Sequence, residues 1–184
     1  MIKTYLITDP KYYKDKNSFS DYLSKIYRNY SIDYVCFRDK TTKNLCPLLE
    51  KFKKLSKDYH ISKTFINQHI TLAKEFNLFG VHLTSKQFKE IEYAKSLNLF
   101  VIISTHTFKE ALEAKRLGAD AITYSPIFST PNKGKPKGIE DLIQLIEKVD
   151  LKIFALGGII SNHEIELLKE ANPYGFASIR YFLN

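Results

Sequence analysis

Eight short runs of β-branched and aromatic residues recur along the chain: KTYLIT (3–8), DYVCF (33–37), KTFIN (63–67), FGVHL (79–83), LFVIIS (99–104), DAITY (120–124), LKIFAL (151–156) and YGFASI (174–179). Each of the first seven is followed by a segment with helical period. Phe19, Tyr22, Leu23 and Ile26 make one apolar stripe, and Leu45, Leu48, Phe52, Leu55 and Tyr59 a second; Ile139, Leu142, Ile143 and Ile146 mark the sixth. Ser161 and Glu164 form a capping box at the start of the seventh. Strands alternating with helices demand a parallel sheet, and apolar residues at successive strand positions say that both of its faces are covered. Eight such units close into an α/β fold of the (β/α)8 type, a compact barrel. Its last helix is truncated, since only Arg180 to Asn184 follow the eighth run. A doubly wound open sheet would need a glycine fingerprint after its first strand, and the segment after TYLITD has no glycine. The 184 residues read as one domain, 1–184, with no low-complexity linker dividing them.

The composition narrows the class. With 44% hydrophobic and 26% charged residues, and apolar runs too short to span a bilayer, a soluble protein without membrane attachment is expected. Met1 leads directly into structured sequence, which predicts no signal peptide. Cys36 and Cys46 have neither disulfide-framework nor zinc-ligand spacing, in keeping with a reducing cytoplasm. The net charge of +8 invites a nucleic-acid reading, but the lysines are spread over many segments and no nucleic-acid-binding motif accompanies them. That charge favours small anionic ligands, phosphates above all.

Barrels of this kind bind ligands at the C-terminal ends of their strands. Arg38 and Lys40 follow the second strand, and Lys133 lies in the STPNKGKPKG loop (129–138) after the sixth; together they predict an anion. Gly157 and Gly158 end the seventh strand, where their amides, with those after the eighth at Ile179 and Arg180, would form a phosphate cup. His106 stands at the start of the fifth helix, where the helix dipole would hold an imidazole neutral. Two readings stay open for it, proton transfer near neutral pH or a helix cap. His82, on an apolar strand, reads as a hydrogen-bonded core residue. No two histidines or acids share a strand end at metal-ligand spacing, so neither a metal nor another cofactor is expected.

The ordered set YLITD, FRDK, FIN, GVHL, ISTHT, GADAITYSPIFSTPNK, ALGGI and GFASI closely resembles the thiamine phosphate synthase and thiazole tautomerase (TenI) superfamily over nearly the whole chain. The resemblance implies a compact barrel that binds thiazole phosphate, with or without a pyrimidine pyrophosphate partner. In the synthases it implies magnesium held by two aspartates, whose positions fall here on Gln68 and Gln87. Magnesium wants carboxylate oxygen, and two amides do not offset its dehydration cost. The synthases' pyrimidine-binding Gln falls on Cys36. Arg38, Lys40, Asn67, Thr130, Lys133 and Gly158 match the family pattern, whereas a loop hydroxyl has become Asn132 and a Ser after the eighth strand has become Arg180. The resemblance therefore implies a TenI-like, metal-independent tautomerase with His106 as acid/base. The alternatives are a thiamine phosphate synthase with an unusual site and a non-catalytic phosphate-ligand binder. The expected partner is a small phosphate ligand rather than nucleic acid or membrane, and self-association is compatible with the pattern.

Overall fold

The computed structural model describes residues 2–184. Eight parallel strands form a closed barrel in chain order: β1 (Lys3–Ile7), β2 (Tyr34–Phe37), β3 (Lys63–Asn67), β4 (Gly80–Leu83), β5 (Phe100–Thr105), β6 (Ala121–Tyr124), β7 (Lys152–Leu156) and β8 (Gly175–Ser178). The helices between them are α1 (Lys16–Asn29), α2 (Cys46–Asp58), α3 (Ile70–Glu75), α4 (Ile91–Ser96), α5 (Phe108–Arg116), α6 (Gly138–Lys148) and α7 (Asn162–Ala171). After β8 the chain makes only a 3-10 turn, Arg180–Leu183, where a full barrel would carry an eighth helix. Among the described residues no helix is long and apolar enough to cross a membrane.

Two buried clusters divide the apolar residues. The larger lies between the sheet and the helices and includes Leu6, Val35, Ile66, Val81, Val101 and Ile122 on the strands. The other fills the barrel itself, with Tyr5, Tyr34, Phe65, Ile102 and Phe154 at its centre. Strand register explains the division. Side chains alternate across a strand, so partners such as Tyr5 and Tyr34, or Tyr34 and Lys63, point to the same side. Alternate strands then fill the interior in layers. Tyr5, Phe65, Ile102 and Phe154 come from the odd strands; Tyr34, Gly80, Ala121 and Gly175 come from the even strands below them.

The two glycines in that lower layer are required by bulk. A Cβ on Gly175 would lie 2.6 Å from the Phe154 ring, and one on Gly80 would lie 2.0 Å from the Phe100 carbonyl oxygen and 2.7 Å from the Phe65 ring. The aromatic residues claim the space, with centroids 5.1 Å apart for Tyr5 and Phe154 and 5.0 Å for Tyr34 and Phe154. Gly80→Ala is expected to destabilise the fold by about 3 kcal/mol, because the obstructing atom is backbone and cannot rotate away. Urea unfolding of the two proteins checks this, and equal midpoints would show that the barrel yields at that point.

Candidate active site at the strand C-terminal ends

Beyond β1, Thr8 is buried and couples two strand ends: its hydroxyl accepts from the Arg38 amide at 2.8 Å and donates to the Arg38 carbonyl at 3.1 Å. Asp9 then meets the Arg38 guanidinium at 3.4 Å. Arg38 is thus partly neutralised by the loop after β1, a partner that sequence reasoning did not identify. Asp39, its neighbour in sequence, is bound instead by Tyr13, Thr41 and Thr42. Burial alone would raise its carboxyl, but hydrogen bonds from Thr42 and Thr41 outweigh this and hold it below the usual carboxylate range. Tyr13 completes its shell at 3.0 Å.

Lys40 and Lys133 have no carboxylate within ion-pair reach among the described residues. The Lys40 ammonium is held below its ordinary range by burial first, then by the charges of Arg38 and Lys133. Loop folding has therefore brought three cations from two separate sequence segments into one field. Among the described residues Asp9 is the one carboxylate in ion-pair reach of any of the three.

The loop after β6 rests on the end of β7. Ile127 donates to the Leu156 carbonyl at 2.9 Å and Phe128 to that of Gly157 at 3.0 Å. Gly157 and Gly158 have φ of 99° and 73°, and a Cβ on Gly158 would lie 2.6 Å from both Phe128 Cβ and the Ser129 oxygen. A Cβ on Gly157 would meet the Thr130 hydroxyl at 3.2 Å, so Thr130 does reach the glycine pair. Among the described residues the backbone amides of Gly157, Gly158, Ile179 and Arg180 find no backbone acceptor, which leaves them free to donate to an anion. Asn132 and Lys133 are exposed in the same loop, with Asn132 in the left-handed region at φ 59°. Ile179 packs against the barrel interior, whereas the Arg180 side chain is exposed.

His106 does not lie in the helix. Thr107 is the N-cap of α5, its hydroxyl accepting from the Glu110 amide, and the Glu110 carboxylate reaches back to the His106 amide. The capping task therefore belongs to Thr107. The imidazole of His106 is held instead by the end of β6, with Nδ1 3.0 Å from the Ser125 carbonyl oxygen and 3.2 Å from its hydroxyl. A carbonyl oxygen only accepts, so Nδ1 carries a proton, and in the neutral tautomer the lone pair is on Nε2. Nε2 has no hydrogen-bond partner among the described residues.

His82 is buried in the barrel as the sequence suggests. Nδ1 meets the Tyr5 hydroxyl at 2.9 Å and Nε2 meets Ser104 at 3.0 Å. Burial, and secondarily the charge of Arg38, push it down to about 3. Cys36 also faces the barrel interior. Burial pushes its thiol up to about 12, so the position implied for a pyrimidine-binding amide is a neutral, enclosed sulfur.

Asn67, Gln68 and Gln87 form one network. The Asn67 amide nitrogen donates to the His82 carbonyl at 2.9 Å and Gln68 Nε2 to Asn67 Oδ1 at 3.2 Å. Gln87 Oε1 accepts from the Thr84 amide and hydroxyl, and its Nε2 donates to the Gln68 carbonyl at 3.2 Å and to Glu90 at 3.0 Å. Gln87 thereby ties the loop after β4 to the loop after β3. No group of three or more His, Cys, Asp or Glu side chains able to hold a metal occurs among the described residues. The donor set at these two loops does not fit magnesium.

The sequence profile of a family described as thiamine monophosphate synthase (TMP-TENI) matches residues 4–182. The chain belongs to this family. A putative thiamine-phosphate synthase 2 of Aquifex aeolicus is 33% identical, the match covering 98% of this chain and 97% of the relative. A thiamine-phosphate synthase of Shouchella clausii is 33% identical over 76% of this chain and 69% of its own length. The thiamine phosphate pyrophosphorylase of Pyrococcus furiosus has the same fold, with a TM-score of 0.79 at 25% identity, over 97% of this chain and 85% of that one. Membership of this family makes thiamine biosynthesis the setting of the protein and supports an enzyme acting on small phosphate-bearing substrates.

A concavity of about 360 Å³ lies elsewhere. It lies beside α1 and the C-terminal turn, lined by Tyr12, Tyr22, Ile26 and Phe182. The converging cations and unpaired amides make the strand ends the candidate site instead.

Proposed function

We propose that this protein binds a thiazole-phosphate ligand at the C-terminal ends of its strands and moves a proton on it without a metal ion, as a thiazole tautomerase. One observation carries the reading: the amides of Gln68 and Gln87 occupy the two loops where the family resemblance implies metal-binding carboxylates, and hydrogen bonds already engage them. In this reading Lys40 and Lys133, with Arg38 restrained by Asp9, attract the anion. The amides near Gly157, Gly158 and Ile179 receive its phosphate. His106 Nε2 takes a proton from the ligand and returns one to another position of the same molecule, so that only a tautomer changes. Its Ser125 hydrogen bond keeps the lone pair on Nε2.

The second reading is a thiamine-phosphate synthase, and the names of the relatives favour it over the tautomerase. The two readings part on magnesium. Incubating the protein with thiazole phosphate and the pyrimidine pyrophosphate, with and without millimolar magnesium, is expected to give no thiamine phosphate above buffer. The same protein given the non-aromatic carboxythiazole phosphate is expected to convert it equally well with and without chelator. Robust magnesium-dependent thiamine phosphate formation would overturn the proposal and establish the synthase.

A further inference from the structure

The opposite end of the barrel carries an arrangement that the chemistry above does not use. Register places Lys3, Lys63, Phe100 and Lys152 at the inward positions of the first layer, one from each odd strand. Three of the four side chains closing the floor are therefore lysines. Lys3 is neutralised by Asp33 at 2.8 Å. Among the described residues Lys63 and Lys152 have no carboxylate within ion-pair reach. Among the described residues, two other acids that precede strands at this end are directed to other lysines: Asp120 to Lys95 at 2.7 Å and Asp150 to Lys115 at 3.8 Å.

The two unpaired ammoniums converge instead on aromatic rings under the barrel. Lys63 Nζ stands 4.5 Å from the centre of the Tyr34 ring; Lys152 Nζ stands 5.4 Å from that of Phe100 and 5.7 Å from that of Tyr174. Cation–π contact holds each ammonium beside these rings without neutralising its charge. The hydroxyls complete the picture. Lys63 donates to the Tyr34 oxygen at 3.2 Å, and the Tyr34 and Tyr174 oxygens are 2.6 Å apart. The Tyr34 and Tyr174 hydroxyls share one hydrogen bond that either can donate, so one O–H of the pair is left without a protein acceptor among the described residues. Burial raises the Tyr174 hydroxyl most, while the charges of Lys63 and Lys152 both reach it and act the other way.

We infer that Lys63, Lys152 and the free hydroxyl of the Tyr34–Tyr174 pair form a second anion site, at the N-terminal end of the barrel, for a small oxyanion of the phosphate or sulfate class. Two ammoniums and one hydroxyl supply N–H and O–H donors to it. The aromatic layer above them is closed, so the anion sits at the floor and cannot enter the barrel. This site lies at the far end of the strands from the thiazole-phosphate site and does not depend on it.

Inorganic phosphate is the probe, titrated at constant ionic strength and followed by thermal melts and phosphorus NMR line width. In a Lys40→Ala, Lys133→Ala background the phosphate response is expected to persist. Adding Lys63→Met and Lys152→Met, which keep an apolar stem over the rings, is expected to weaken the residual affinity about tenfold or more, as loss of a charge-assisted hydrogen bond does. The single changes Lys63→Gln and Lys152→Gln report the same affinity should the combined variant unfold. Complete loss of the phosphate response in the first background, or residual affinity unchanged by the floor substitutions, would overturn the site.

Discussion

Replacing His106 with Asn is expected to lower the rate of carboxythiazole phosphate tautomerisation about 10²–10⁴-fold, the range for loss of a positioned acid/base. Binding should change little. The Asn side-chain amide can still donate to the Ser125 carbonyl that now receives Nδ1, but it offers no lone-pair nitrogen in place of Nε2. The fold should tolerate the change as well. Capping of α5 rests on Thr107 and Glu110, and His106 contributes only its backbone amide to that arrangement. Tautomer conversion and thermal melting of wild type and variant separate the outcomes. Equal rates in the two proteins would remove His106 from the chemistry. No rate above buffer in either would make this a phosphate-ligand-binding protein.

Acid is expected to destabilise the barrel well above the pH at which carboxylates titrate. His82, at about 3 in the folded protein, is held neutral between Tyr5 and Ser104. The unfolded chain protonates the same imidazole near 6.5, so protons favour unfolding throughout the interval between the two values. Stability from this group is complete above about pH 6.5 and is lost as pH falls toward 3, on the order of 5 kcal/mol in all. Asp15, Asp33, Asp39 and Glu164 are also lowered on folding, but their contributions disappear only below their ordinary values of 3.8 to 4.5. Urea unfolding between pH 5 and 6.5 therefore isolates His82. His82→Gln should start lower in stability, by about 1–3 kcal/mol for buried partners left unsatisfied, and should lose that slope. An unchanged slope in the variant would show that another group governs this window.

The two histidines show where legibility in the sequence stops. The apolar residues flanking His82 place it inside the barrel, and it is there. His106 was ambiguous for a physical reason: a residue beside a helix start can cap it or stand free, and only the position of Ser125, nineteen residues away, decides which nitrogen carries the proton. Arg38 is similar. Its charge and its place after a strand are legible, whereas its restraint by Asp9 depends on two loops from neighbouring strands meeting. The TD pair closing the first strand was the available signal for that contact.

Alternation of short apolar runs with amphipathic segments was enough to determine an eight-unit parallel barrel, because each unit must bury one face of a strand and one stripe of a helix. Residue identity also puts amides at Gln68 and Gln87, where the family resemblance implies carboxylates. Tertiary structure decided what those amides do instead. Gln87 holds its own loop through Thr84 and the neighbouring loop through the Gln68 carbonyl. Tertiary structure alone also decided that Lys63 and Lys152, eighty-nine positions apart, share one layer of the barrel floor and stand over the Tyr34 and Tyr174 rings. Hydrophobic period is local and survives in one dimension; convergence of charges is a property of closure and exists only once the sheet has joined its first strand to its last.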